Sequence, residues 1–430
     1  MTEALRKGWC PGALAPMLSG DGYIFRLRLT NGVLSFARAK IFAALARRFG
    51  NGAFDLSARA NLQMRGVAGD RIEALQAELR ALGLLDSDPR AEAVRNVVPS
   101  PLAGFDPTAL LDARPLVSAL DDLLKSNRDL QDLPPKFGFA IDGGGALPLD
   151  VATDVVFAAS AADRLAVFLG GAFAGHVTRG DLLAAAEGLA RNFLALRNAD
   201  RRMGAVVARL GVAPLVEGVS VIARSEATKP SARRSAPDGL LRSARNDGAR
   251  PANILGAQSC GLGAFVGAGL LFGRIDADGL EALAECAEAC GAAELRLTPW
   301  RVILAVGLAR EAATRLVADL ATRGFLLDAS DARLAFTACP GAPACSSALA
   351  DVRATALALA PHWRAEAGRI HISGCAKGCA LNAPALTLVA ERDGYALVEY
   401  GLAREKPSAR GLDLAALTTR LKSLAQGARA

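Results

Sequence analysis

Two thiol pairs dominate the chemistry this chain could carry. Cys339-Pro-Gly-Ala-Pro-Ala-Cys345 is C-x5-C and Cys375-Ala-Lys-Gly-Cys379 is C-x3-C, with 29 residues between them. Four thiolates in two local pairs meet the need of a cubane [4Fe–4S] cluster, which takes one per iron. Pro340, Gly341 and Pro343 keep the first pair out of helix, and Gly374 and Gly378 let the backbone of the second approach closely. Zinc is the competitor, because zinc ribbons also use two cysteine pairs, typically spaced by about two to four residues. The other four of the eight cysteines (Cys10, Cys260, Cys286, Cys290) read as ordinary thiols. Only His176, His362 and His371 supply imidazole, and nothing in their spacing suggests a two-histidine, one-carboxylate iron site. His371, four residues before Cys375, reads either as a neighbour of the metal site or as a core histidine.

A second chemistry is anion binding. In SARANLQMRGV, residues 57–67, the side chains of Arg59, Asn61, Gln63 and Arg65 alternate, so on a strand all four leave one face. Two guanidinium forks and two amides there would suit several carboxylates, and a solvated sheet face is the plain alternative. Arg95 and Lys136 border turns, where binding groups concentrate, Arg301 lies next to the residue 241 positions on from Arg59, and Lys377 sits inside the last cysteine pair, able to balance thiolate charge.

The elements that position these residues come from a duplication. Shifting the chain by 241 positions lays residues 20–85 on 261–326 without a gap, with Gly20, Gly22, Gly50, Gly66 and Gly83 on Gly261, Gly263, Gly291, Gly307 and Gly324. Each copy reads as strand (Tyr23–Leu29; Ala264–Phe272), helix (Phe36–Phe49; Leu280–Cys290), strand (Phe54–Val67; Leu295–Leu308) and a helix ending at Gly83 or Gly324. The repeat places Cys286 and Cys290 on Leu45 and Phe49, inside the equivalent helix, so that C-x3-C is expected to be core. Behind each copy, 91–210 and 329–430 resemble each other weakly, through Pro99 against Pro340 and Lys136–Phe139 against Arg369–Ile372. The expected organisation is α+β and pseudo-twofold: ferredoxin-like half-domains at 1–90 and 253–328, larger α+β domains at 91–210 and 329–430, and a linker at 211–252.

Composition narrows the class. With 430 residues, 52% hydrophobic, the chain is long enough for several cores. No stretch reaches the roughly 18 uncharged apolar residues of a membrane span, and Met1–Leu18 has no apolar signal core, so a cytoplasmic protein with no membrane partner is expected. Most of the net charge of +7 comes from Val219–Arg250, which holds seven cations against three anions. With aromatic residues at 5%, this argues against a nucleic-acid face. That segment looks like the translation of a mobile palindromic DNA element inserted into a tolerant linker, and is expected to be exposed and dispensable.

Taken together, the duplicated βαβα unit, SARANLQMRGV, RNVVPSPLAGFDP, LPPKFG, LRLTPWR and the two cysteine pairs resemble the nitrite/sulfite reductase superfamily. The resemblance implies a [4Fe–4S] cluster on Cys339, Cys345, Cys375 and Cys379, next to a macrocycle between pseudo-symmetric halves. In the reductases that macrocycle is sirohaem, and the last cysteine, here Cys379, bridges cluster and haem iron. Sulfite-reducing members carry a K-x-K where this chain has Lys136 and Gly138. Within the superfamily, GWCPGALAPMLSGDG, LTPWR and SGCAKGCA most resemble the precorrin-3B synthases of the aerobic cobalamin pathway. That likeness implies O2-dependent hydroxylation of precorrin-3A at C20 with closure of a γ-lactone. It further implies a non-haem iron, an electron donor such as an NADH-linked reductase or ferredoxin, and a substrate held by Arg59, Asn61, Arg65, Arg95, Lys136, Arg301 and Lys377. The alternatives are a sirohaem-dependent sulfite or nitrite reductase and a non-catalytic tetrapyrrole-binding scaffold.

Overall fold

The computed structural model describes residues 10–222, 254–364 and 367–427. The chain begins with β1 (Met17–Ser19), β2 (Gly22–Leu27), β3 (Val33–Leu34), α1 (Phe36–Phe49), β4 (Ala53–Leu56), β5 (Leu62–Val67) and α2 (Ile72–Ala81). It continues through α3 (Pro89–Val94), β6 (Val97–Pro99), α4 (Arg114–Ser126), β7 (Phe139–Asp142), β8 (Val155–Ala161), β9 (Arg164–Leu169) and β10 (Ala172–Thr178), then α5 (Leu182–Leu196), α6 (Met203–Leu210) and α7 (Ala213–Val216). The second half repeats the plan with β11 (Gly256–Cys260), β12 (Gly263–Gly269), β13 (Arg274–Asp276), α8 (Ala277–Ala289), β14 (Glu294–Leu297), β15 (Val302–Leu308) and α9 (Arg310–Ala321). It ends with β16 (Phe336–Ala338), α10 (Val352–Leu359), β17 (Ile370–Ser373), β18 (Ala385–Glu391), β19 (Gly394–Gly401), β20 (Ala409–Leu412) and α11 (Leu414–Gly427).

The repeat extends to backbone detail. Among the described residues, four of the five non-glycine residues with positive φ fall in two pairs 241 apart, Asn31 with Phe272 and Ala60 with Arg301. Helices α1 and α8 are capped at equivalent positions, where Ser35 accepts from Arg38 N–H and Asp276 from Gly279 N–H. The expected long strands 54–67 and 295–308 are instead hairpins. The Ser57 hydroxyl accepts from the N–H groups of Arg59 and Asn61, and the Thr298 hydroxyl from Trp300 N–H, which stabilises a tight turn in each.

The two halves share one core. Strand order β1-β2-β5-β4-β13 in one sheet and β11-β12-β15-β14-β3 in the other shows that each half lends its short strand to its partner's edge. Phe42, Leu45 and Phe49 of α1 pack in one cluster with Leu280, Leu283 and Cys286 of α8, which is where the repeat put that cysteine. The ion pairs of Arg47 with Asp278 and Glu281 join the same helices, but they are solvent-exposed and add little. Apolar burial across the shared core therefore holds the halves together.

The weak second duplication becomes plain in the sheets. Both β6-β7-β8-β9-β10 and β16-β17-β18-β19-β20 run parallel, parallel, antiparallel, antiparallel. Val97 pairs with Phe139 as Phe336 pairs with Ile370, so the register superposes Ser100 on Cys339 and Pro101, not Pro99, on Pro340. Most of the expected 211–252 linker lies outside the described residues. Its described start is packed, with Leu215 fully buried and Ile222 exchanging backbone hydrogen bonds with His176, because α6 and α7 cover the core beneath α5. The second unit therefore runs past residue 210.

Candidate functional site

Both cysteine pairs lie beyond the C-terminal ends of parallel strands. Cys339 follows β16 and Cys375 follows β17, in the crevice where α/β sheets commonly bind ligands. Cys339 is buried, Cys345 and Cys375 are half-buried, and Cys379 is exposed. Gly374 N–H donates to Cys339 Sγ at 3.2 Å. A Cβ at Gly374 would stand 2.6 Å from Ala348 Cβ, so glycine is required there for the two loops to close. Lys377 Nζ donates to Ser347 Oγ at 2.9 Å and ties the loops together. Burial pushes the Cys339 thiol up, and the neighbouring Cys345 and Cys375 add to it, whereas the N–H groups of Gly374 and Gly341 oppose it. Cys339, Cys345 and Cys375 thus share one region and would lose their protons on binding iron.

Among the described residues, no three His, Cys, Asp or Glu side chains converge as around a single metal ion. A single zinc draws its ligands to one point, whereas a cubane holds one thiolate on each iron. The glycine-lined loops with their shared thiols fit the cluster. No ligand set for a further non-haem iron stands among the described residues. His371 is fully buried on β17, its ring 3.7 Å from where a Cβ on Gly378 would lie, so it packs beneath the second cysteine loop. His176 and His362 belong to other elements.

A cavity of about 340 Å³ opens beside this crevice, reaching Ala380 and Leu381 just after Cys379. Arg59, Arg301, Arg333 and Arg369 give its wall cationic character, with Trp300, Phe272 and Leu270 as apolar surface. Arg59 and Arg301 come from the two pseudo-symmetric hairpin turns, one from each half. Arg59 donates to the Lys136 carbonyl at 2.9 Å and Arg301 to the Ala380 carbonyl at 3.5 Å, and neither forms an ion pair among the described residues. Burial lowers the pKa of both, and the neighbouring Arg353 lowers that of Arg301 further. Two half-buried cations, without a paired carboxylate among the described residues, face one cavity.

The remaining basic candidates separate from these two. Arg65 does not share a face with Arg59, because the turn at Ala60 (φ +53°) breaks the strand alternation. It is 2% exposed and bonded to Asp21, Asp55 and the Ala344 carbonyl, so it supports the cysteine loop instead of facing a ligand. Arg95 is consumed by Asp86 and Asp121, which outweigh the cost of burial and hold its pKa above the usual value. Asn61 is buried and its amide donates to the Arg59 carbonyl at 2.8 Å, fixing the turn. Lys136 is exposed, and its carbonyl accepts from Arg59.

Residues 15–82 and 258–323 match the nitrite/sulfite reductase ferredoxin-like half domain, and residues 90–226 the nitrite and sulphite reductase 4Fe-4S domain. The matched 90–226 stretch contains no cysteine, and all four paired thiols lie in its pseudo-symmetric copy. Precorrin-3B synthase from a Sinorhizobium species is 32% identical over 94% of this chain and 85% of that protein. The chain belongs to the precorrin-3B synthase family of the nitrite/sulfite reductase superfamily. Ferredoxin–nitrite reductase of Synechococcus elongatus is 26% identical over 83% of this chain and 74% of that protein. The solved NirA protein of Mycobacterium tuberculosis shares the fold, with a TM-score of 0.71 over 93% of this chain and 79% of its own, at 19% identity.

In this family member two further arginines join the site region. Arg26 lies on β2 and Arg28 directly follows it, with Arg26 5% exposed and its Nε and Nη1 without hydrogen-bond partners among the described residues. Arg28 donates to the Arg95 carbonyl at 2.5 Å and lines a small cleft with Arg59 and Asn61. Two charges in the apolar stretch YIFRLRL were the available sequence signal. Among the described residues, no helix is long and apolar enough to cross a membrane.

Proposed function

We propose that this chain is a precorrin-3B synthase, hydroxylating precorrin-3A at C20 with O2 and closing a γ-lactone from the ring A acetate. One oxygen atom would enter the substrate and the other would leave as water, consuming two electrons and two protons. Cys339, Cys345, Cys375 and Cys379 would hold a [4Fe–4S] cluster, which supplies one-electron transfer when bound. The observation that carries the reading is the pair Arg59 and Arg301: half-buried cations from pseudo-symmetric turns, without ion pairs among the described residues, on a cavity that reaches the residues just after the last cysteine. A macrocycle bearing many carboxylates is the ligand such a wall suits, because each guanidinium fork takes one carboxylate bidentately. Trp300 and Phe272 offer surface for its apolar faces.

The second position after Lys136 supports a large substrate over a small oxyanion. Gly138 is buried, its N–H donates to Asp154 at 3.0 Å, and a Cβ there would stand 2.8 Å from Thr153 Oγ1. No second lysine fits in this backbone, so the paired charge that strips water from a small oxyanion is missing. Anaerobically purified protein given precorrin-3A, a reductant and 18O2 should yield product carrying one heavy oxygen atom. Unlabelled product, or no reaction alongside turnover of sulfite or nitrite, would refute the proposal.

A further inference from the structure

The cysteine loop is gripped by charges that the proposed reaction does not call on. Asp55, on β4, receives Arg274 at 3.0 Å, Arg65 at 3.2 Å and Arg353 at 3.3 Å. Two of these arginines reach the cluster loop itself. Arg65 Nη2 donates to the Ala344 carbonyl at 2.8 Å, and Arg353 Nε to the Cys339 carbonyl at 3.3 Å. The Ser19 hydroxyl donates to the Ala344 carbonyl as well, at 2.7 Å. Asp21 also takes Arg65, at 2.6 Å, so three guanidinium groups face two carboxylates and leave an excess positive charge. Arg353 Nη1 is buried without a hydrogen-bond partner among the described residues. Burial alone would raise the Asp55 carboxyl, but Arg353, Arg274 and Arg65 together hold it below its ordinary value.

The other copy shows what the loop needs without a cluster. Position 296 is the repeat of position 55, and there Arg296 replaces the aspartate and donates to the Ala103 carbonyl at 3.1 Å. The loop after Ser100 is closed by hydrogen bonds, with Gly143 N–H on Ser100 Oγ at 2.8 Å and Ser100 Oγ on Asp142 at 2.9 Å. One arginine on one carbonyl is enough to seat that loop. Among the described residues, the three-arginine network stands only where the thiols are.

We propose that Arg65 and Arg353, bridged by Asp55, form a charged clamp on the Cys339–Cys345 loop whose net positive charge favours the reduced state of the bound cluster. The inference rests on the cluster assignment given above. Reduction adds one negative charge to a centre already ringed by thiolates, and a low-dielectric setting transmits nearby charge with little screening. Fe–S potentials respond to such charge. Arg65 and Arg353 are therefore positioning residues that also tune the centre.

Anaerobic redox titration of the full holoprotein, followed by electron paramagnetic resonance, tests the clamp. Arg353→Gln should shift the reduction equilibrium about tenfold toward the oxidised state, about 59 mV more negative for one electron. Asp55→Asn should shift it the opposite way, and Arg353→Lys should stay near wild type. Lost packing has no charge sign, so two shifts in one direction, or none at full iron and sulfide content, would overturn the clamp. If Arg353→Gln fails to fold, Asp55→Asn decides alone, because an unchanged or lowered potential refutes the proposal. A wild-type protein that binds no iron and sulfide would instead overturn the cluster assignment, and the clamp with it.

Discussion

Arg59→Ala and Arg65→Ala, six residues apart in one hairpin, should fail in opposite ways. Arg59 gives the protein one hydrogen bond, to the Lys136 carbonyl, so its removal should cost the fold only about 0.5–1.5 kcal/mol. To a bound carboxylate it would be a charge-assisted partner worth about 1.5–3 kcal/mol, so precorrin-3A should bind about 10- to 150-fold more weakly. Arg65 is 2% exposed and paired with Asp21 and Asp55, and its removal takes the ion pair from half-buried Asp21 and leaves Asp55 to Arg274 and Arg353, at about 3 kcal/mol. Urea unfolding of anaerobically purified protein measures the first quantity, and absorbance titration with precorrin-3A the second. Unchanged affinity in Arg59→Ala would refute the role of the cavity wall. A stable Arg65→Ala protein with weakened substrate affinity would refute the division of labour between the two arginines.

Other substitutions test the remaining parts. Cys345→Ala should lose iron and activity while Cys286→Ala, in the shared core, keeps wild-type iron by chemical analysis. Gly374→Ala should lower iron content, because its Cβ would stand 2.6 Å from Ala348 Cβ and force the loops apart. Ser100→Ala should cost about 1–3 kcal/mol in chemical unfolding and leave iron content unchanged, since it strips Gly143 N–H and Asp142 of a partner in the copy without thiols. The Asp55 carboxyl is held below its ordinary 3.8, so its stabilisation is present above that pH and lost as pH falls through the lower folded value. The stability gap between wild type and Asp55→Asn should therefore close on acidification, and a gap independent of pH would contradict the ion network.

The sequence carried the duplicated half-domains clearly, because glycine positions survive where positive φ is needed and the helix cores repeat. It carried the second duplication poorly. Its copies keep the sheet pairing but differ in the loops, and only the register aligns Ser100 with Cys339. The exchange of β3 and β13 was invisible, since strands of two and three residues have no periodicity and pair with the distant half. Treating 57–67 as one strand misplaced Arg65, because SARAN contains neither Gly nor Pro to announce the turn at Ala60. Whether a buried arginine already has a carboxylate is a tertiary fact. Arg95 and Arg59 look alike in sequence and differ only in the approach of Asp86 and Asp121.

The central claim is a cluster-bearing enzyme whose macrocycle is a substrate instead of a resident sirohaem. Anaerobic purification followed by iron and sulfide analysis and a visible spectrum, before and after precorrin-3A, tests it most directly. The account predicts equal iron and sulfide from the cluster, no sirohaem absorption, and spectral change on adding precorrin-3A. Intense sirohaem bands in the protein as isolated, with turnover of sulfite or nitrite, would contradict it.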